Sequence, residues 1–562
     1  MVKFSNTGFR SLLLLANAVV LTIVINQLSA LFFLRFDLTE EGRYSIKPQT
    51  DRLLRSLDEG VFVEVFLEGD LNPGFTRFKK SVQETLEEFS VRSGGKVTYI
   101  FTDPLQAKSE KSRNEFMAGL VDKGLKPLNI VEEKDGRRSE KIVFPGAVIS
   151  YAGIEKSVNL LKNSSNLQGA QAALNQSIET IEYELASGIA SLAGSETKRV
   201  AWIKGHGELD SLPVAGIQNA MVERFELFKV DLAGTSSLDD FDLVVIARPV
   251  LPWSPEDLYK LDQFIMRGGK VIFFLDNLEF DLDLISESED FGKPLAHGLD
   301  ALLFRYGLRI NQDLIQDLSA LPVPVVTGTS GGKSQITPIP WPFYPMAVRY
   351  AEHPATRNLD ASMFRFVSTM DTIRTSGVKK IPLVFSSPYT RILNSPVKVS
   401  IADLRKKIDP AQYRNGEIPL AWLLEGKFQS LFKNRLQPEG AGLPDKIDDG
   451  SFSRIVVFSD GDFLTSGVDK RSGEVFPAGY DSFTRQTFAN QELVLNLMDY
   501  LSDDQGIINA RNKKVTVRLL DKEKISEERN MIRWINLGVP VLIMILTGII
   551  LSWLRYRRYA HF

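Results

Sequence analysis

The sequence predicts an α/β protein whose two terminal transmembrane helices flank a large extracytoplasmic body. Three observations predict it: a charge-free apolar run near each end, strand and helix patterns alternating between them, and a globular composition overall. Of 562 residues, 44% are hydrophobic and 24% charged, which excludes disorder, collagen and coiled coil as descriptions of the whole. That length suggests about three or four domains. A formal net charge of −3 gives no bulk drive toward nucleic acid, and no nucleic-acid partner is expected. Cysteine is absent, which removes disulfides, thiolate metal sites, cysteine nucleophiles and lipid attachment through cysteine.

Residues 12–34 and 535–554 are the apolar runs. Helices of that length span roughly 30 Å, the hydrocarbon thickness of a bilayer, so membrane lipid is an expected partner. Asn17, Asn26 and Gln27 in the first run and Asn536 in the second are polar, and would face a partner helix rather than lipid. Trp534 and Trp553 lie near the ends of the second run, where indoles favour the interface. A cleaved signal peptide is the alternative for the first. That run exceeds the roughly 7–15 residues of a signal core. It also lacks a small-x-small site, with Leu28 two residues before Ala30 and Gln27 two before Ser29. Residues 1–11 carry Lys3 and Arg10 and no acid; residues 555–562 carry Arg555, Arg557 and Arg558 and no acid, whereas the inner flanks mix both signs. The positive-inside rule then puts both ends in the cytoplasm and the body beyond the cytoplasmic membrane, in the periplasm. Removing those five cations from −3 leaves −8 on residues 35–534.

Residues 35–195 read as a first domain. After a polar stalk come a helix near Gln49–Leu57, a strand Val61–Gly69, a helix Phe75–Val91, a strand Lys96–Pro104 and a helix Glu110–Lys123. Strands at Leu128–Glu133, Lys141–Ser150 and Glu155–Leu160 follow, with Gly136 in the first hairpin. The order β-α-β-α-β-β is that of a thioredoxin-like layer, which without cysteine is a scaffold or binding platform. Ala172–Leu192 is a connector helix, with Leu174, Ile178, Ile181, Leu185 and Ile189 at helical spacing.

Residues 196–510 turn to a doubly wound pattern: strand "RVAWIKG", helix Val214–Arg224, strands "FELFKVDL" and "FDLVVIARP", helix Pro255–Met266 and strand "KVIFFLD". Ser254 before Pro255 starts the helix and Gly268-Gly269 stops it. Such alternation demands a parallel sheet with helices on its faces. The proline-rich stretch 295–450 reads as an insertion or elaboration, because Arg454–Asp462 and a helix Asn490–Leu501 resume the style. Residues 511–534 lead back to the membrane.

Ligands of doubly wound sheets bind beyond the carboxyl ends of the strands. Three polar groups fall there: His206, Glu208 and Asp210 in "KGHGELD", Asp276 closing "FFLD", and Asp460 and Asp462 in "SDGD". They have the chemistry to hold a small ligand or a divalent cation. The other reading is that Gly, Asp and His punctuate βα turns and cap helices. No catalytic set is expected, since there is no cysteine nucleophile and no G-x-S-x-G elbow. "GTSGGKS" misses the phosphate-loop spacing by placing Thr327 where glycine is required, and prolines follow instead of a helix. His297, His353 and His561 are isolated, so no metal and no cofactor are expected. Trp341, Phe343 and Tyr344 read as a proline-rich crossover packed on the core, with a partner or ligand surface as the alternative.

Several segments, in order along the chain, carry a resemblance: "RFDLTEEGRYSIKPQT", "VFVEVFLEGDLNPGFTRF", "IEYELASGIASL", "KGHGELD", "DQFIMRGGKVIFFLD", "FSSPYTRILNSPVKVSI" and "AGYDSFTRQTFANQELVLNLMDYLSDD". Together they resemble the GldG family of gliding-motility ABC transporter accessory proteins. The resemblance implies a multi-span GldF-like permease and a cytoplasmic GldA-like ATPase as partners, and allows a homodimer within the complex. It also implies that the body resembles the ABC-type uncharacterised transport system domain, an amidotransferase-like fold without its cysteine. The expectation is a non-catalytic coupling subunit. The alternatives are a solute receptor holding a sugar-like or peptide ligand at His206, Glu208, Asp276, Asp460 and Asp462, or a tethered hydrolase using the same groups.

Overall fold

The computed structural model describes residues 13–24, 46–106, 109–134, 137–161, 169–194, 197–235, 237–330, 333–439, 445–469, 472–503, 506–512 and 528–559. Residues Met1–Lys513 form one compact unit and Lys514–Phe562 a second. In the first, α1 (Leu13–Val24) is apolar and exposed along its length. It rises only about 18 Å, less than a bilayer core. The rest of the expected first span, with Asn26 and Gln27, lies outside the described residues.

The first lobe begins with α2 (Pro48–Arg55), opened by a proline at its first turn. In β1 (Val61–Val65) the three valines face the core, and Phe62 points outward. Helix α3 (Pro73–Arg92) starts where Asn72 Oδ1 accepts the Phe75 N–H at 2.9 Å, and buries Phe75, Phe78, Val82, Leu86 and Phe89. Then come β2 (Val97–Phe101), α4 (Glu110–Asp122), β3 (Leu128–Lys134), β4 (Arg137–Val143), β5 (Gly146–Tyr151), β6 (Ile154–Asn159) and α5 (Gly169–Leu192). The sheet order is β2-β1-β5-β6, parallel between β1 and β2 and antiparallel elsewhere. The sequence read Lys141–Ser150 as one strand. The structure breaks it at Phe144-Pro145, where proline lacks the ladder donor. As a result β3 and β4 form a separate ribbon and only β5 joins the sheet.

The second lobe runs β7 (Arg199–Lys204), α6 (Ala215–Val222), β8 (Glu226–Asp231), β9 (Leu243–Ala247), α7 (Pro255–Met266), β10 (Lys270–Phe274), α8 (Leu282–Glu287) and α9 (Asp300–Tyr306). A long ribbon of β11 (Ala320–Ser330) and β12 (Lys333–Ala347) follows. Next are β13 (Arg349–Tyr350), β14 (Val378–Phe385), β15 (Pro419–Gln429), β16 (Asp449–Phe458) and α10 (Asn490–Ser502). The sheet order is β13-β14-β15-β16-β10-β9-β7-β8. Strands β8, β7, β9, β10 and β16 are mutually parallel. Strands β13, β14 and β15 extend the sheet antiparallel from β16. The sheet is therefore mixed rather than parallel throughout, because the proline-rich stretch contributes strands to it. One face packs Ile217 and Met221 of α6 and Leu493 and Leu497 of α10 on Trp202, Val245 and Ile272. The other packs Tyr259 and Phe264 of α7 and Leu302 of α9 on Val244, Phe273 and Val457. Burial on both faces explains why "LVVIA" and "KVIFF" are continuous apolar runs rather than alternating ones.

The second unit holds α11 (Arg529–Tyr559), in which Arg533–Arg557 is the one described helix long and apolar enough to cross a membrane, with mean hydropathy 2.4. Asn536 on it and Asn17 on α1 are exposed. Thr22 and Thr547 return their hydroxyls to the carbonyls of Ala18 and Ile543, at 2.8 and 2.7 Å, which satisfies both without a partner.

Candidate functional site at the carboxyl ends of the strands

The parallel strands lie in the order β8-β7-β9-β10-β16, second-first-third-fourth-fifth in sequence, so the strand order reverses between the paired β7 and β9, where sheets of this kind have their ligand crevice. Here the chain fills its own crevice. Val250 and Leu251 N–H groups donate to the His206 carbonyl at 3.0 and 2.8 Å. Gly207 permits the approach: it has φ +74°, and a Cβ there would lie 2.5 Å from Val250 Cγ2.

His206 is 6% exposed and stacked on Trp253, ring centroids 4.2 Å apart. Its Nδ1 meets Glu208 Oε1 at 3.0 Å and its Nε2 meets Asp257 Oδ2 at 3.3 Å. Burial pulls the imidazole pKa down, but the hydrogen bonds and charges of Glu208 and Asp257 outweigh it and raise the pKa above its ordinary value. Asp257 also accepts from the Ser254 hydroxyl at 2.7 Å, at the capped start of α7. With both ring nitrogens engaged by carboxylates, His206 has none free as base or ligand. The group is a staple between the β7 turn and α7.

The second cluster joins β9, β10 and β16. Arg248 Nε donates to Asp276 Oδ2 at 2.8 Å, and Arg248 Nη1 lies 3.2 Å from Asp462 Oδ1. Asp276 Oδ1 accepts the Gly461 N–H at 2.6 Å. Asp460 accepts from Arg365 N–H at 2.7 Å and Asp462 N–H at 2.9 Å, the latter as the cap of the turn Gly461–Leu464. Burial first, then the charge of Asp462, pushes the Asp276 carboxyl up to about 7 against the pull of Arg248. Burial beside Asp276 and Asp462 raises Asp460 well above the usual carboxylate range. Arg248 has φ +54°, a left-handed conformation that costs a non-glycine residue of order 1 kcal/mol or more.

Of the six residues the sequence put at one site, His206 and Glu208 form the first cluster and Asp276, Asp460 and Asp462 the second. Asp210 joins neither: it pairs with Lys229 on β8, which lowers its pKa. Sequence reasoning missed Arg248, Trp253, Asp257 and Arg365. Arg248 had a signal, since it follows β9 just as Asp276 and Asp460 follow their strands. Among the described residues no group of three or more His, Cys, Asp or Glu is placed to hold a metal ion. His297 and His353 are buried, each accepting a backbone N–H two residues on, at 3.1 and 3.3 Å; His561 lies outside the described residues. Trp341 and Phe343 are core residues packed with Phe366.

Comparison with known proteins adds the family. A model of a domain of unknown function, DUF7088, matches residues 40–150. No curated protein matches the sequence. Among solved structures, the chain shows likeness to the mmIFT52 N-terminal domain, at 12% identity and TM-score 0.31 over 54% of this chain and 97% of that one. It also shows likeness to Gan42B, a GH42 beta-galactosidase, at 9% identity and TM-score 0.22 over 81% of this chain and 47% of that one. A family model described as an ABC-type uncharacterized transport system matches residues 197–497, more than half of the chain and the whole parallel part of the large sheet. The chain belongs to that family, as an auxiliary component of an ABC-type transport system.

Proposed function

We propose that this auxiliary component is a non-catalytic, membrane-anchored periplasmic subunit of the GldG type. It couples a GldF-like permease and a GldA-like ATPase to an envelope substrate or apparatus in gliding motility. In this reading residues 12–34 and 535–554 are the two anchors, with residues 1–11 and 555–562 in the cytoplasm. Residues 35–195 and 196–510 are a thioredoxin-like and an amidotransferase-like domain. The β2-β1-β5-β6 order and the five-strand parallel run support those fold assignments. The observation that carries the non-catalytic part is internal saturation: His206 lies between two carboxylates, and Arg248 bridges Asp276 and Asp462. Such groups are already spent on one another.

Reconstitution of permease and ATPase in liposomes, with and without this chain, tests the reading. ATP turnover should change when the chain is added, while the chain alone hydrolyses none. Turnover of a hydrolysable substrate by the isolated chain, lost on His206→Ala, would return the tethered-hydrolase reading. The solute-receptor reading keeps one observation, the partly exposed Arg248–Asp462 pair at the strand ends. A rise in melting temperature with a saturating ligand would favour it.

A further inference from the structure

Both ends of the body meet on one helix of the first lobe. At the incoming end, the Lys47 N–H donates to Glu182 Oε1 at 2.6 Å, and the Thr50 hydroxyl donates to the same oxygen at 2.9 Å. Glu182 is buried on α5, and α2 has no side-chain cap of its own. A carboxylate from α5 thus serves the positive end of α2. At the outgoing end, Ile507, Ile508 and Ala510 enter the same apolar core as Leu53, Leu54, Ile181 and Leu185. The short turn Ile507–Asn512 touches both α2 and α5.

Arg511 closes this end. It is fully buried, its guanidinium carbon 5.2 Å from the Tyr183 ring centroid and its Nη2 3.8 Å from Glu492 Oε1. Among the described residues none of its three nitrogens has a hydrogen-bond partner. A buried cation so thinly satisfied is costly and persists only where its surroundings hold it. Tyr183, the neighbour of Glu182, donates to Asp499 Oδ2 at 2.9 Å, and that oxygen also takes Arg224 Nη1 at 2.6 Å. Residues 182 and 183 therefore touch the incoming end, the outgoing end and the second lobe at once.

We propose that Glu182 and Arg511 lock both ends of the body onto α5, making the first lobe the element through which the terminal apolar segments act on the second lobe. The lock stands on the contacts above; the path of load rests on the coupling-subunit reading.

Amide hydrogen exchange on the full chain in detergent tests the lock, comparing wild type, Glu182→Gln and Arg511→Met. Each substitution should speed exchange about tenfold in both 46–57 and 506–512, because coupling between two sites is reciprocal. Faster exchange confined to the segment each residue touches would overturn the proposal. The chain has no cysteine, so Gln49→Cys with Gly506→Cys supplies its only thiol pair. A Cβ at Gly506 would lie 3.5 Å from Gln49 Cγ, near enough for a disulfide, although φ +75° at Gly506 strains a cysteine there, so only a pair that joins is read. Oxidised, this pair should suppress the effect of Glu182→Gln on 506–512. If Arg511→Met does not fold, Glu182→Gln decides alone: faster exchange that reaches 506–512 supports the lock, and faster exchange confined to 46–57 overturns it. If the exchange results hold and no permease or ATPase accompanies the chain, the lock stands and the load path falls.

Discussion

Replacing Asp276 by asparagine should change how stability depends on pH. The folded carboxyl has a pKa of about 7, against about 3.9 in an unfolded chain. Between those values the folded state holds a proton that the unfolded state has released. Stability therefore falls as pH rises through this window, by up to about 4 kcal/mol once the folded value is passed. Asparagine keeps an oxygen for the Gly461 N–H and removes the buried charge, but forfeits the pairing of Arg248 Nε at 2.8 Å and leaves Arg248 to Asp462. The pull of Arg248 is already contained in the folded value, so Asp276→Asn should be more stable than wild type by up to about 4 kcal/mol at pH 8. The advantage should shrink or reverse at pH 5. Urea unfolding at both pH values, followed by fluorescence of the tryptophans, of which Trp202, Trp253 and Trp341 are buried, measures the difference. A stability gap that is the same at pH 5 and pH 8 would refute the reasoning.

Gly461→Ala should destabilise the protein by about 2 kcal/mol, since the new Cβ would lie 2.5 Å from Arg248 Cγ and 2.7 Å from Asp276 Oδ2; thermal melts read it. Glu208→Gln should lower the His206 pKa, which proton NMR can follow because the chain has only four histidines. The stability that His206 contributes is full below its unfolded value near 6.5 and is lost as pH rises through its raised folded value, so Glu208→Gln should also flatten that decline. Ile545→Arg places a charge in the middle of α11 at a cost of about 3 kcal/mol for insertion; in a chain shortened to begin at residue 46, which lacks the other proposed anchor, it should release the protein from membranes under alkaline extraction, while the same shortened chain without the substitution stays bound.

Local signals made much of the fold legible. Ser254-Pro255 starts its helix as expected, because a cap and a fixed φ act within three residues, whereas the apolar spacing alone placed the start of α3 at Phe75, two residues inside the Asn72-Pro73 cap. The alternation of strands and helices announced a parallel sheet covered on both faces. Long-range pairing left no comparable trace. Nothing near Pro419 says that β15 docks antiparallel on β16, nothing near Val378 says that β14 docks on β15, and nothing near Ile507 says that it returns to a core built more than 300 residues earlier. The strand-end acids could be found because topology puts ligand groups there. Arg248 could have been found on the same ground, but the partners that come from elsewhere in the chain could not: Asp257 reaches His206 from the start of α7, and the Arg365 N–H reaches Asp460 from a loop after the ribbon.

Mild-detergent purification of the tagged full chain, with mass spectrometry of what accompanies it, tests the central claim most directly. The account predicts a multi-span permease and an ATPase in fixed ratio to this chain. A protein that emerges alone and monomeric from several detergents would contradict it.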